Sequence, residues 1–157
     1  MNTKKINEFI DTSKDVIYSS TNYKVIKHKI IEKNATYICS DVAIVFGISG
    51  NIKGQVIFTM SESAAIKIAA RIFEEIEIVE FDEIARCSIS EFGNILLARA
   101  IQVFSDKESY IDISPPALAT GTNLVMHIDK MSVIGISITL DDSIPFDINI
   151  SICEKNS

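Results

Sequence analysis

Histidine is scarce in this chain: His28 and His127 are the two among 157 residues. His28 lies between two lysines and reads as a surface residue, whereas His127 lies in an apolar stretch and reads as packed. Neither has an acid and a nucleophile close in sequence, so no local arrangement for imidazole-assisted nucleophilic catalysis is present. Cys39, Cys87 and Cys153 are odd in number and widely separated, with no Cys-x-x-Cys pair and no histidine nearby. That pattern argues against a zinc site and for reduced thiols. Long apolar runs are also missing. The most apolar, residues 42–48, is far shorter than the roughly 20 residues of a membrane helix. The polar N-terminus offers no signal-peptide core, so the expected location is cytoplasmic. Basic residues are outnumbered, 15 Lys and Arg against 21 Asp and Glu, giving a net charge of −6. A field of that sign disfavours nucleic acid and anionic membranes as partners.

Two further chemistries find no support. Gly47, Gly50 and Gly54 are not followed by the Gly-Lys-Ser/Thr of a phosphate loop, and their apolar flanks fit a hairpin,. Asp141-Asp142 reads as a solvated turn between strands rather than a Mg²⁺ site,. No Pro/Gly/Ser-rich linker or low-complexity stretch occurs, so one domain is expected over residues 1–157,.

What is present is a chain built to fold, with 47% hydrophobic and 23% charged residues,. Residues 3–18 place Ile6, Phe9, Ile10, Val16 and Ile17 at helical spacing, an amphipathic opening helix,. β-branched and aromatic runs follow at 23–31, 37–48 and 55–60, the last two reading as a hairpin around Ser49-Gly50-Asn51,. Ser61 is a good N-cap for a helix with Ala65, Ile68, Ala69, Ile72 and Phe73 on one stripe, ending near the acidic residues 74–77,. Asp82 can cap a longer helix to about Phe104,. Strand-like runs at 110–113, 123–128, 131–140 and 146–152 complete the chain, and the short connections imply antiparallel pairing,. Two hairpin-like stretches, 42–60 and 131–152, hint at a weak internal repeat,.

The long helix carries the one chemical signal. With Ile84 at zero and about 100° per residue, Ala85, Ile89, Phe92, Ile95, Leu96 and Val103 fall between about 20° and 140°, the expected core face,. Glu91 and Asn94 fall at about 340° and 280°, neighbours on an outward stripe bordered by the small Cys87 and Ala98,. A carboxylate and an amide thus project together where another protein surface has room to approach. On spacing alone the same stripe also fits an ordinary polar helix face.

The segment Ser88-Ile89-Ser90-Glu91-Phe92-Gly93-Asn94-Ile95-Leu96, followed by Ile111-Asp112-Ile113-Ser114-Pro115-Pro116 and Gly121, resembles the CheC/CheX/FliY family of chemotaxis phosphatases, in its CheX-like branch. The family signature is Asp or Ser, three residues, Glu, two residues, Asn, and a Pro some twenty-two residues later. Glu91 and Asn94 match its central pair, Cys87 with Ser88 beside it stands at the first position, and Pro116 follows Asn94 after twenty-one residues. A single Glu-x-x-Asn is similar to the single-site members. The resemblance implies an α+β fold, an antiparallel β-sheet with two long helices packed on one face plus an N-terminal helix, and a homodimer joined through sheet edges. It further implies a phosphatase acting on the aspartyl phosphate of a CheY-like receiver domain. Asn94 would orient the attacking water and Glu91 would pair with a receiver lysine, with Cys87, Ser88, Ala98 and Pro116 on the docking surface. No cofactor or metal would be bound by this chain, Mg²⁺ being held by the receiver. The alternative is an interaction module of the same fold that binds a receiver or other signalling partner without hydrolysis.

Overall fold

The computed structural model describes residues 2–128 and 131–154. Helix α1 (Thr3–Thr21) is capped by Asn2, whose side chain accepts from the Lys4 amide at 2.9 Å. It stops at Asn22, which takes the left-handed φ of 60° that asparagine tolerates,. All five residues of its apolar stripe are buried. The chain then runs through β1 (Val25–Lys33), β2 (Thr36–Ile38), β3 (Val42–Gly50), β4 (Ile52–Met60), α2 (Glu62–Ile72), α3 (Glu83–Ala100), β5 (Ile111–Ile113), β6 (Ala117–Thr120), β7 (Val125–His127), β8 (Val133–Leu140) and β9 (Ile144–Glu154).

The main sheet is antiparallel in the order β1, β8, β9, β4, β3, with β5 and β6 both on the outer side of β3. The hairpins β3–β4 and β8–β9 meet at its centre through β4 and β9, Phe58 opposite Ile148. Alternation along each strand separates two faces. One carries Ile44, Phe46, Phe58, Ile136, Ile138 and Ile148 into a core shared with all three helices. The other carries Ala43, Ile57 and Val133, covered by the ribbon β2–β7 with Cys39 and Ile128. On this second face Lys33 crosses above Gly135, where a Cβ would stand 2.7 Å from its Cε. Its ammonium donates to Asn149 Oδ1 at 2.7 Å and lies 3.7 Å from Asp147.

The fold is the expected α+β arrangement, with the N-terminal helix joining the other two in one layer. Several details differ. The run 37–48 is two strands in two sheets, because the chain turns at residues 39–41, where the Cys39 amide donates to Leu124 O and Asp41 O accepts from the Gly121 amide. Strand β6, Ala-Leu-Ala-Thr, had no strong pattern and forms by pairing with β3. The apolar run 131–140, whose length is consistent with edge pairing, instead gives β8, an internal strand, and β1 lies outside it at the margin of the sheet among the described residues. His127 is exposed rather than packed, its Nδ1 2.6 Å from Thr36 Oγ1.

Candidate functional site

Helix α3 is held at both ends and from beneath. Asp82 accepts from the Ala85 amide at 2.9 Å, Glu83 lies in the first turn and Arg99 in the last, each favourable to the helix dipole,. It packs against α1 and α2 and lies across β3 and β4. The crossing is set by Gly93: a Cβ there would stand 3.1 Å from Phe58 Cδ2 and 3.4 Å from Ile44 Cδ1. The missing side chain lets the helix settle onto the sheet at the residue before Asn94.

Contacts on both flanks widen the buried arc beyond the expected one. Ala85, Ile89, Phe92 and Leu96 are buried as expected, but so are Ser88, Gly93 and Leu97, while Ile95 is 42% exposed. Two expectations are therefore corrected. Ile95 belongs to the outer stripe, and Ser88, 2% exposed, lies behind that stripe on the wall of a cleft rather than on the outer docking face; among the described residues its Oγ has no hydrogen-bond partner. Cys87, Glu91 and Ala98 are exposed, and Asn94 is half-buried. Among the described residues neither the Glu91 carboxylate nor the Asn94 amide makes a hydrogen bond or ion pair.

Pro116 is half-buried, immediately before β6, the strand that touches α3. The Ser114-Pro115-Pro116 segment interrupts the edge between β5 and β6. It is pinned there by the Ser114 amide donating to Gly47 O at 2.9 Å and the Gly47 amide donating to Ser114 Oγ at 2.8 Å.

Sequence reasoning missed an apolar border. Ile84 is 44% exposed and, with Cys87, Glu91, Ile95 and Ala98, follows the i, i+3, i+7, i+11, i+14 spacing of one helix face,. That spacing was visible in the sequence, but the projection assigned Ile95 inward. Beside Glu91 opens a cleft of about 440 Å³ between the ends of α1 and α2 and this face, lined by Phe73, Cys87, Ser88, Glu91, Phe92 and Ile95 among others. His28 and His127 lie on β1 and β7, off this face. Among the described residues no three His, Cys, Asp or Glu side chains converge on a point a metal ion could occupy. The site offers a hydrogen-bonding amide, a carboxylate and apolar contact area, a set suited to engaging another molecule's reactive group.

The family model for the chemotaxis phosphatase CheX matches residues 42–139, the span holding Glu91, Asn94 and Pro116. A CheY-P phosphatase CheX from Thermotoga maritima is 28% identical over 112 residues, 69% of each chain. The crystal structure of a chemotaxis protein CheX from Desulfovibrio desulfuricans superimposes with a TM-score of 0.81 at 19% identity, covering 97% of this chain and 99% of that one. A chain of the CheX–CheY–BeF3–Mg²⁺ complex from Borrelia burgdorferi gives 0.79 at 23% identity, covering 95% and 97%. No helix among the described residues is long and apolar enough to cross a membrane.

Proposed function

This chain belongs to the CheX family of chemotaxis phosphatases, and from that premise we propose that it hydrolyses the aspartyl phosphate of a CheY-like receiver. The observation that carries the reading is the placement of the exposed Glu91 and the half-buried Asn94 three residues apart on α3, with neither side chain engaged by the protein's own described groups. An unengaged amide and carboxylate, three residues apart on a rigid helix, are available to a partner without any internal bond being broken.

In the reaction a water oxygen attacks phosphorus in line, the bond from phosphorus to the aspartyl oxygen breaks, and the carboxylate and inorganic phosphate leave. The Asn94 carbonyl oxygen accepts a hydrogen bond from that water and aligns it, an action that requires no titration at this chain. Glu91 forms a charge-assisted contact with a receiver lysine and fixes the register of docking. The receiver's acidic pocket holds the Mg²⁺ that neutralises the phosphoryl oxygens. Cys87 and Ala98 keep the approach between helix and receiver short.

The reading also includes a homodimer. Of the two margins of the main sheet, the β3 side is blunted by short strands and Pro115-Pro116, whereas β1 has nine residues and exposes Ile26 and Ile30,. The β1 edge is the one suited to pair with a second copy.

Phosphate release from a phosphorylated receiver tests the activity. A catalyst accelerates the decay at protein concentrations far below that of the receiver. A module that binds without hydrolysis leaves the decay unchanged or slows it, and that result would replace the phosphatase reading.

A further inference from the structure

Resting on that reading, we propose that the cleft beside Glu91 is a specificity pocket that receives one bulky apolar side chain of the receiver, flanked there by basic residues. Three observations converge on it. The cleft shares Glu91 with the docking stripe, so whatever engages Glu91 covers its mouth. Its volume of about 440 Å³ lies at the small end of the range for pockets that bury a ligand group, and Phe73 and Ile95 on its walls are 43% and 42% exposed.

The second observation is Ser88, which lines the cleft with a hydroxyl that is buried and has no partner among the described residues. A buried hydroxyl left without a bond is costly, and an incoming carbonyl or thioether at the tip of a docked segment would satisfy it. The third is charge. The α2–α3 connection, residues 74–83, carries six acids and no Lys or Arg, and exposes Ile76 and Val79 among them. None of these carboxylates has an ion-pair partner among the described residues. The nearest cations by sequence are otherwise engaged: Arg86 donates to Phe81 O, and Arg71 lies over the Tyr23 ring. This acidic, partly apolar segment continues directly from Phe73 on the cleft wall and leads into α3, and it complements a partner segment that is basic around an apolar anchor.

The test measures the dissociation constant for a beryllofluoride-activated receiver with wild type, Phe73→Ala, Ile95→Ala and Ile38→Ala. Each cleft variant is expected to weaken binding about 10-fold, as loss of a partly buried apolar contact does. Ile38→Ala, an exposed isoleucine on the opposite face of the sheet, is expected to bind as wild type does. Replacing Glu74, Glu75 and Glu77 together by Gln is expected to lower the association rate and flatten its salt dependence. Wild-type affinity in both cleft variants would overturn the pocket while leaving the hydrolysis reading in place. Where Phe73→Ala loses its fold, the methyl resonances of Ile72 and Ile95 in wild type decide: both shift on adding activated receiver, and unmoved signals would overturn the proposal. Loss of turnover in Asn94→Ala tests the hydrolysis reading separately, and a wild type that binds no receiver would sink both.

Discussion

Gly93→Ala measures how tightly the sheet sets the position of Asn94. The added methyl would stand 3.1 Å from Phe58 Cδ2, 3.3 Å from Cε2 and 3.4 Å from Ile44 Cδ1, a few tenths of an ångström inside comfortable contact. Phe58 is poorly placed to yield, being 2% exposed and packed edge-on against Phe46 at 5.6 Å between ring centres. The helix must lift instead, carrying Asn94 with it. Two effects oppose one another: alanine is favoured over glycine in a helix by roughly 1 kcal/mol, and overpacking a core costs about 1–3 kcal/mol. The net expectation is a destabilisation of about 0–2 kcal/mol, or a melting temperature lower by up to about 8 °C for a chain of this size. Because a displacement near 1 Å can cost about 100-fold in rate, a shift of a few tenths should cost several-fold in turnover. Thermal melts and single-turnover dephosphorylation read the two effects independently. A variant stabilised by the full helix-propensity gain, with turnover unchanged, would refute the claim that the close approach at Gly93 positions the site.

Thiol labelling at pH 8 should modify Cys87 and Cys153, both exposed, before Cys39, whose Sγ donates to Leu124 O at 3.3 Å. Burial pushes the Cys39 thiol above its ordinary range, reducing its reactive thiolate,; rapid Cys39 labelling in mass spectra would contradict the packing of the β2–β7 ribbon. Tyr37→Phe should leave stability unchanged or raise it by up to about 1 kcal/mol, since the buried hydroxyl has no hydrogen-bond partner among the described residues to lose,. Burial, with smaller contributions from Cys39 and Asp147, also pushes the Tyr37 phenol far above its ordinary value. The unfolded chain therefore loses that proton first, and stability falls as pH rises beyond about 10; Tyr37→Phe should remove part of that alkaline loss in urea melts. Light scattering should give a dimer mass for wild type and a monomer mass for the double variant Ile26→Lys, Ile30→Lys, with the melting temperature of the monomer fold little changed; a monomeric wild type at tens of micromolar would remove β1 as an interface.

The local signals in the sequence were strong where side chains act on their own backbone. Ser61 and Asp82 cap α2 and α3 as their chemistry required, and the turn at 49–51 joins β3 to β4. That Glu91 and Asn94 are neighbours on α3 was legible because helical spacing alone determines it, whereas the half-burial of Asn94 was not. What failed depends on neighbours distant in sequence. Ser88 is buried and Ile95 exposed because α3 is flanked by two helices and opens onto a cleft, which a projection of one helix does not contain. Strand β6 was silent because small residues on an edge need only the ladder of β3. The break at 39–41 is imposed by Leu124 and Gly121, some eighty residues away in sequence.

The central claim is that Asn94 acts on the reacting water while the rest of the stripe acts on docking. Single-turnover dephosphorylation of a phosphorylated receiver by Asn94→Ala, run beside a binding titration with the beryllofluoride-activated receiver, tests it directly. A group that acts in the transition state should cost roughly 10²- to 10³-fold in rate when removed, with the dissociation constant nearly unchanged. Glu91→Ala, measured in parallel, should instead weaken binding and its salt dependence. A near wild-type rate for Asn94→Ala, with the receiver bound as tightly as before, would contradict the water-orienting role of this residue.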